Sequence, residues 1–263
     1  MQALNRTLLW NIAFRSFFLQ ASWNYHGMMN MGFLYALKPG LDKIYIEASD
    51  RQEAYKRHLE YFNTNPYFAS TIMGVILNLE ERFQKGEIGE DIIRDTKEGL
   101  MTAFAAIGDG LFWDSWRPFV AALALLLAFE NFLITPILFL ILYNIPHLIL
   151  RFKGINLGYK MGTDVIHILP RFQIQRVREG LRYATLTLLC FLIPNYVNLH
   201  TPFLISHRLN EFFFFLEKIV QGIGASLAVA LVSIAYHAKI DVLMISFLLM
   251  VSALLLHHWE ILI

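Results

Sequence analysis

The sequence predicts a mainly α-helical protein that crosses a membrane several times. Three observations carry this reading. Of its 263 residues, 56% are hydrophobic and only 16% are charged, and the mean hydropathy is +0.47; an average soluble domain carries roughly 25% charge. The charges are also clustered, in residues 38–97 and again in 151–182, while long stretches after Leu111 are nearly uncharged. Finally, apolar residues recur at helical spacing between Asn, Pro and Gly punctuation. Uncharged runs of roughly twenty residues fit the hydrocarbon thickness of a bilayer and are difficult to bury in one small soluble core.

In chain order, residues 3–19 read as a first helix. Its arginines and apolar residues suit an amphipathic helix on or entering a membrane, and it lacks the basic start and small-residue cleavage site of a secretory signal. Residues 16–37 continue that helix or fold back on it, with "KPG" at Lys38 to Gly40 as its stop. Ser49, with Gln52 three residues on, reads as a capping box for a surface helix. Ala54, Tyr55, His58, Leu59 and Phe62 share one face of it. "FNTNP" ends it, with Asn65 as N-cap and Pro66 at the first position of an apolar helix running to about Gly86. A charged helix follows from Gly89. Gly108 and Gly110, flanking Asp109, predict a tight reversal at membrane depth.

About five C-terminal spans follow. They are residues 111–129; 132–150, forming a hairpin with the first across Glu130 and Asn131; 183–205, broken by Pro194 and Pro202; 219–236; and a short one over 242–257. Between the second and third lies a polar loop, residues 151–182. Its arginines and lysines, from Arg151 to Arg182, place it in the cytoplasm by the positive-inside rule. The expected organisation is one membrane domain over 1–263. Residues 1–110 supply amphipathic, re-entrant and cytoplasmic-surface helices, and 111–263 supply the transmembrane helices.

Several function classes are disfavoured. A net charge of +1 does not suit a nucleic-acid binder. The single cysteine, Cys190, makes no intrachain disulfide and reads as a small packed hydrophobe. The nine histidines are scattered singly, and no zinc spacing, P-loop, nucleophile elbow or dinucleotide fingerprint is present. "GIGAS" at Gly222 reads as close helix packing.

Three polar clusters stand out in apolar surroundings: Gln20, Ser22, Trp23 and Asn24 in the opening stretch; Asn63 and Asn65 in "NTNPYF"; and Asp109, Trp113, Asp114 and Arg117 in "AAIGDGLFWDSWRP". Such groups are costly in lipid unless they pair or line a polar path. Planar amides, carboxylates and aromatic faces are also the residue types that bind sugars. Two readings of the last cluster stay open: Asp114 and Arg117 neutralise each other as an i,i+3 pair, or they line a site.

"FLQASWNYHGMMNMGFLYALKP", "RHLEYFNTNPYFASTIMGVILNLEE", "GLMTAFAAIGDGLFWDSWRPFVAAL" and "GYKMGTDVI" together resemble the IID membrane component of the mannose/fructose/sorbose family of bacterial sugar phosphotransferase systems. The resemblance runs through nearly the whole chain. It implies a non-phosphorylated, multi-pass inner-membrane subunit with no cofactor. It also implies a IIC partner in the membrane, IIA and IIB phosphocarrier domains in the cytosol, a sugar substrate, and assembly into a higher-order oligomer of IIC–IID pairs. Gln20, Ser22, Trp23, Asn24, Asn63, Asn65, Asp109, Trp113 and Arg117 are then the candidates for the sugar path. One departure is visible: the family has Gly-Asp-Pro where this chain has Gly108-Asp109-Gly110, and glycine loosens a turn that proline would fix. That substitution, with the short stretch after the fifth span, keeps a second reading open: a IID-like structural or regulatory protein that no longer moves sugar.

Overall fold

The computed structural model describes residues 4–128, 134–168, 173–196, 227, 230, 231, 233–235 and 237–258. Among these the architecture is helical and no strand forms. The chain divides into two compact units, Met1–Ala184 and Thr185–Ile263.

The first unit is built around α4 (Ala69–Gln84), whose residues from Ala69 to Leu77 are all buried. A helix enclosed on nearly every side is a core element. Its main neighbour is α7 (Thr135–Met161), and the two approach closely because small residues meet at the seam. A side chain at Gly158 would strike the Thr71 carbonyl, and one at Gly74 would strike the Ile155 carbonyl. Gly154 and Gly158 therefore form a small-xxx-small face, the usual device for close packing of membrane helices.

Helix α1 (Arg6–Arg15) is capped by Asn5, whose Oδ1 accepts the Leu8 N–H at 2.8 Å. It buries Leu9, Ile12 and Ala13 and leaves Trp10 and Phe14 exposed. Helix α2 (Asn30–Ile44) corrects the expected stop at Lys38 to Gly40, because it runs through Pro39. Proline removes the bond to the carbonyl four residues back, here that of Tyr35. Arg15 Nε donates to that oxygen at 2.8 Å, and its guanidinium lies over the Tyr35 ring. A long-range partner thus satisfies the group that would otherwise end the helix.

Helix α3 (Ala48–His58) starts without a capping box. Ser49 donates to Asp50 instead, and no side chain caps the N-terminus. Ala54 and His58 are buried as the spacing predicts, and so is Arg57, while Leu59 lies past the helix end and is exposed. Asn65 does not cap α4 either: its Oδ1 accepts the Tyr67 N–H at 3.0 Å, closing a turn before α4 begins at Ala69.

Helix α5 (Glu90–Gly108) starts after Gly89 as expected. No reversal follows it. The chain continues through a π-helical segment, Asp109–Trp116, into α6 (Arg117–Ala128), giving one 39-residue helix, Glu90–Ala128. Glycine serves close approach here rather than turning. A side chain at Gly108 would collide with Asn65, and one at Gly110 with the Arg178 guanidinium.

Helix α6 packs on α7 as the hairpin requires, and the turn at Glu130 and Asn131 lies outside the described residues. The expected polar loop over 151–182 is not a loop. Helix α7 carries on to Met161, a short 3-10 turn and α8 (Val165–Ile168) follow, and α9 (Ile174–Tyr196) takes up from there. Arg151, counted as a loop charge, is buried, because its donors find neutral acceptors inside the fold.

The second unit holds the part of α9 from Thr185 onward and α10 (Val242–His258), a helix over the residues where the fifth span was expected. Cys190 is exposed rather than packed, since it sits on an outer face of an apolar helix. Most of the fourth expected span, "GIGAS" and Pro202 lie outside the described residues. Among the described residues, two helices are long and apolar enough to cross a membrane, Glu90–Ala128 and Thr135–His167.

Candidate functional site

The polar opening stretch does not form a continuous helix. After a 3-10 turn at Ser16–Phe18, residues 19–29 form consecutive turns, and Asn24 and Met28 exchange backbone hydrogen bonds at 3.1 and 2.9 Å. Met28 takes φ 54°, a left-handed conformation that costs a non-glycine residue of order 1–3 kcal/mol. The Asn24 side chain holds this turn: Oδ1 accepts the Gly27 N–H at 2.8 Å, and Nδ2 donates to Asn30 Oδ1 at 3.2 Å. Asn30 in turn donates to the Leu59 carbonyl. The turn is stitched to the next cluster by Met29 N–H to the Phe62 carbonyl at 2.8 Å and Phe62 N–H to the Gly27 carbonyl at 3.2 Å.

From Phe62 the chain passes straight into Asn63, Thr64 and Asn65. The Asn63 N–H points at the Met101 sulfur at 3.0 Å, and Thr64 Oγ1 donates to the Met101 carbonyl at 3.1 Å. Both fix the segment on α5. Asn65 is 1% exposed, and its Nδ2 donates to Asp109 Oδ1 at 2.8 Å. Asp109 is exposed midway along the long helix, at the first position of the π-helical segment. Ser115 Oγ donates to the Gly110 carbonyl at 2.9 Å inside that segment, and Tyr67 stacks on Phe112 with centroids 3.9 Å apart. π-helical turns recur at functional sites.

The structure therefore joins Asn65 to Asp109, and it places the Asn24 turn against the segment that carries Asn63 and Asn65. Arg117 lies over the Trp113 ring at 4.9 Å, and no ion pair joins it to Asp114 among the described residues. Trp23 is exposed and meets Tyr25 edge-on at 5.0 Å. Gln20 is exposed, and its side chain has no hydrogen-bond partner among the described residues; Ser22 contributes its carbonyl to Asn24. No hydrogen bond, ion pair or ring contact joins Gln20, Ser22, Trp23 or Asn24 directly to Asp109 among the described residues.

Two polar centres lie outside the expected site residues. Asn30, one of the polar residues of the opening stretch, ties α2 to the end of α3. Arg151 donates to Ser16 Oγ at 2.8 Å and to the Pro66 carbonyl at 3.2 Å, and it contacts His147 Nε2 at 2.7 Å. It thereby holds both polar segments onto α7. The i,i+4 spacing of His147 and Arg151 was the available signal.

A helical membrane subunit with broken backbone, exposed polar groups and a π-helical segment in a long apolar helix is the class these features define. The profile described as "PTS system mannose/fructose/sorbose family IID component" matches residues 3–262. The mannose-specific EIID component of Escherichia coli (strain K12) is 36% identical over 194 residues, 73% of this chain and 69% of that protein. The fructose permease IID component of Bacillus subtilis (strain 168) is 32% identical over 209 residues, 79% of this chain and 76% of that protein. Among solved structures, one described only as a membrane protein is similar with a TM-score of 0.81 at 29% identity, covering 99% of both chains. A chain of the cryo-EM structure of the mannose transporter ManYZ with microcin E492 is similar at TM-score 0.59 and 29% identity, covering 100% of this chain and 99% of that one. This chain belongs to the IID components of the mannose/fructose/sorbose phosphotransferase family, and is thus a membrane subunit of a sugar transport system.

Proposed function

We propose that the chain forms one part of a sugar translocon, completed by a IIC subunit, and that it lies in the bacterial inner membrane with several passes. Soluble IIA and IIB domains deliver the phosphoryl group to the emerging sugar, and this chain carries none. The observation that carries the reading is the Asn65–Asp109 pair: a buried amide orients a carboxylate that is exposed midway along a helix long and apolar enough to cross a membrane. A charge in that position is expensive against lipid and useful against a partner or a polar path. Gln20, Ser22, Trp23, Asn24, Asn63, Trp113 and Arg117 surround that path in this proposal, offering amides and aromatic faces to sugar hydroxyls and C–H surfaces. The positive residues after Leu150, among them Lys153 and Lys160, then face the cytoplasm.

The second reading, of a IID-like protein without transport, drew on Gly110. The π-helical segment removes that support, because Gly110 makes room for Arg178 and loosens no turn. The test is assembly. Expressed with a IIC-type subunit, the chain is expected to co-purify as a stable complex that restores sugar uptake to cells lacking the transporter. A thermally stable, monodisperse monomer that ignores IIC would contradict the translocon.

A further inference from the structure

On the α1 side of α7 lies an open groove of about 1410 Å³, larger than the roughly 300–1,000 Å³ of an ordinary small-molecule site. Trp10, Phe152, Leu157, Ile174 and Val177 are among its walls, and the lining is mostly apolar. It also holds three cations, Arg6, Lys153 and Lys160. All three are exposed, and none pairs with a carboxylate among the described residues.

Their depth follows from the packing. The Leu4 N–H donates to Tyr159 Oη at 2.9 Å, Trp10 meets Phe152 at 5.8 Å, and Phe17 meets His147 at 6.0 Å. Helix α1 thus runs antiparallel along α7, which sets Arg6 beside the C-terminal turns of α7. Lys153 and Lys160 are seven residues apart, two turns on one face of that helix. Residues 135–150 of α7 carry no charge, whereas Arg151, Lys153 and Lys160 follow. The change marks the level at which the helix leaves the hydrocarbon. Glu81, at the Leu4 end, is engaged by Tyr159 Oη at 2.8 Å and by the Leu4 N–H at 3.3 Å, and Asp164, four residues past Lys160, makes no ion pair with it among the described residues.

We propose that this groove is a binding site for an anionic phospholipid of the surrounding membrane, its acyl chains along Trp10, Phe152 and Leu157 and its phosphate between Arg6, Lys153 and Lys160. Charge complementarity selects this occupant. A purely apolar partner helix would leave three cations unmatched at the groove mouth, and a zwitterionic lipid brings its own cation to them. Basic pockets between membrane helices at headgroup depth bind anionic lipids for this reason.

The test uses the full chain, stripped of lipid in mild detergent and offered phosphatidylglycerol and phosphatidylcholine in equal amounts, with bound lipid read by native mass spectrometry. Three cations at about fivefold each predict that phosphatidylglycerol is retained over phosphatidylcholine by about 100-fold. Each lysine contributes about fivefold, so Lys153→Gln with Lys160→Gln should lower the preference by about 25-fold while leaving phosphatidylcholine retention unchanged. Should the double variant fail to fold, each single variant is expected to lower the preference about fivefold. Equal retention of the two lipids, or a preference untouched by the substitutions, would overturn the site. So would loss of phosphatidylglycerol on assembly with a IIC subunit, which would make the groove a protein interface.

Discussion

Arg57 grips Glu80 through two parallel hydrogen bonds, Nε to Oε1 at 3.0 Å and Nη2 to Oε2 at 2.8 Å, in the core between α3 and α4. His58 Nε2 meets the same carboxylate at 2.7 Å. All three side chains are buried, and His58 Nδ1 has no partner. The ring is therefore neutral with its proton on Nε2, since a second proton would be buried unpaired.

This cluster makes stability depend on acid. Burial pushes the Glu80 carboxyl up, but the His58 hydrogen bond and the Arg57 guanidinium outweigh it and hold it down to about 2. Burial also keeps His58 below its ordinary value of 6.5. Both groups bind protons more readily in the unfolded chain, so stability rises with pH. Their contributions are present above the unfolded values and are lost as pH falls, first below about 6.5 for His58 and then from about 4.5 towards 2 for Glu80. The melting temperature in detergent is expected to fall steadily from pH 7 to pH 4, as read by circular dichroism. Glu80→Gln, which leaves Arg57 only the half-exposed Glu90 carboxylate at 3.4 Å, should cost about 3 kcal/mol at neutral pH. A flat melting temperature across that range would contradict the neutral, depressed His58.

The seam between α4 and α7 gives a second prediction. Gly158→Leu drives a side chain into the Thr71 carbonyl, whereas nothing lies within 4 Å of a Cβ at Gly99. The first change should destabilise by about 1–3 kcal/mol or more, whereas Gly99→Leu, which replaces an exposed mid-helix glycine with a better helix former, should hold or slightly raise the melting temperature. Equal effects would mean that the helices do not meet at this face.

Arg151 gives a third. Arg151→Lys keeps the charge, but one ammonium cannot span Ser16 and Pro66 together. With charged hydrogen bonds at about 1.5–3 kcal/mol each, the segment after Arg15 should loosen. Trypsin cleavage at Arg15 should then be several-fold faster, while the helix content holds. Unchanged cleavage would show that the segment is held elsewhere.

Much of the helical order was legible because Gly89, the Asn-rich breaks and the uncharged runs act locally. What was missed depends on distant partners. Pro39 reads as a stop until Arg15 supplies the donor for the Tyr35 carbonyl. Gly108 and Gly110 read as a turn until Asn65 and Arg178 are seen to occupy the space they leave. Arg151 reads as a loop charge because composition cannot distinguish a solvated arginine from one buried among neutral acceptors. The Asn65–Asp109 pair joins two segments that the sequence singled out separately, and 44 residues of separation gave no sign of the contact.

The most direct test of the account is sugar uptake by Asp109→Asn in cells that also make the IIC, IIA and IIB components. The asparagine keeps the volume and an oxygen that accepts from Asn65, so the local fold survives and only the charge is lost. The account predicts an assembled complex of normal yield, with uptake lowered by about tenfold or more, the equivalent of about 1.4 kcal/mol. Wild-type uptake, or uptake and assembly failing together, would contradict a place for Asp109 on the sugar path.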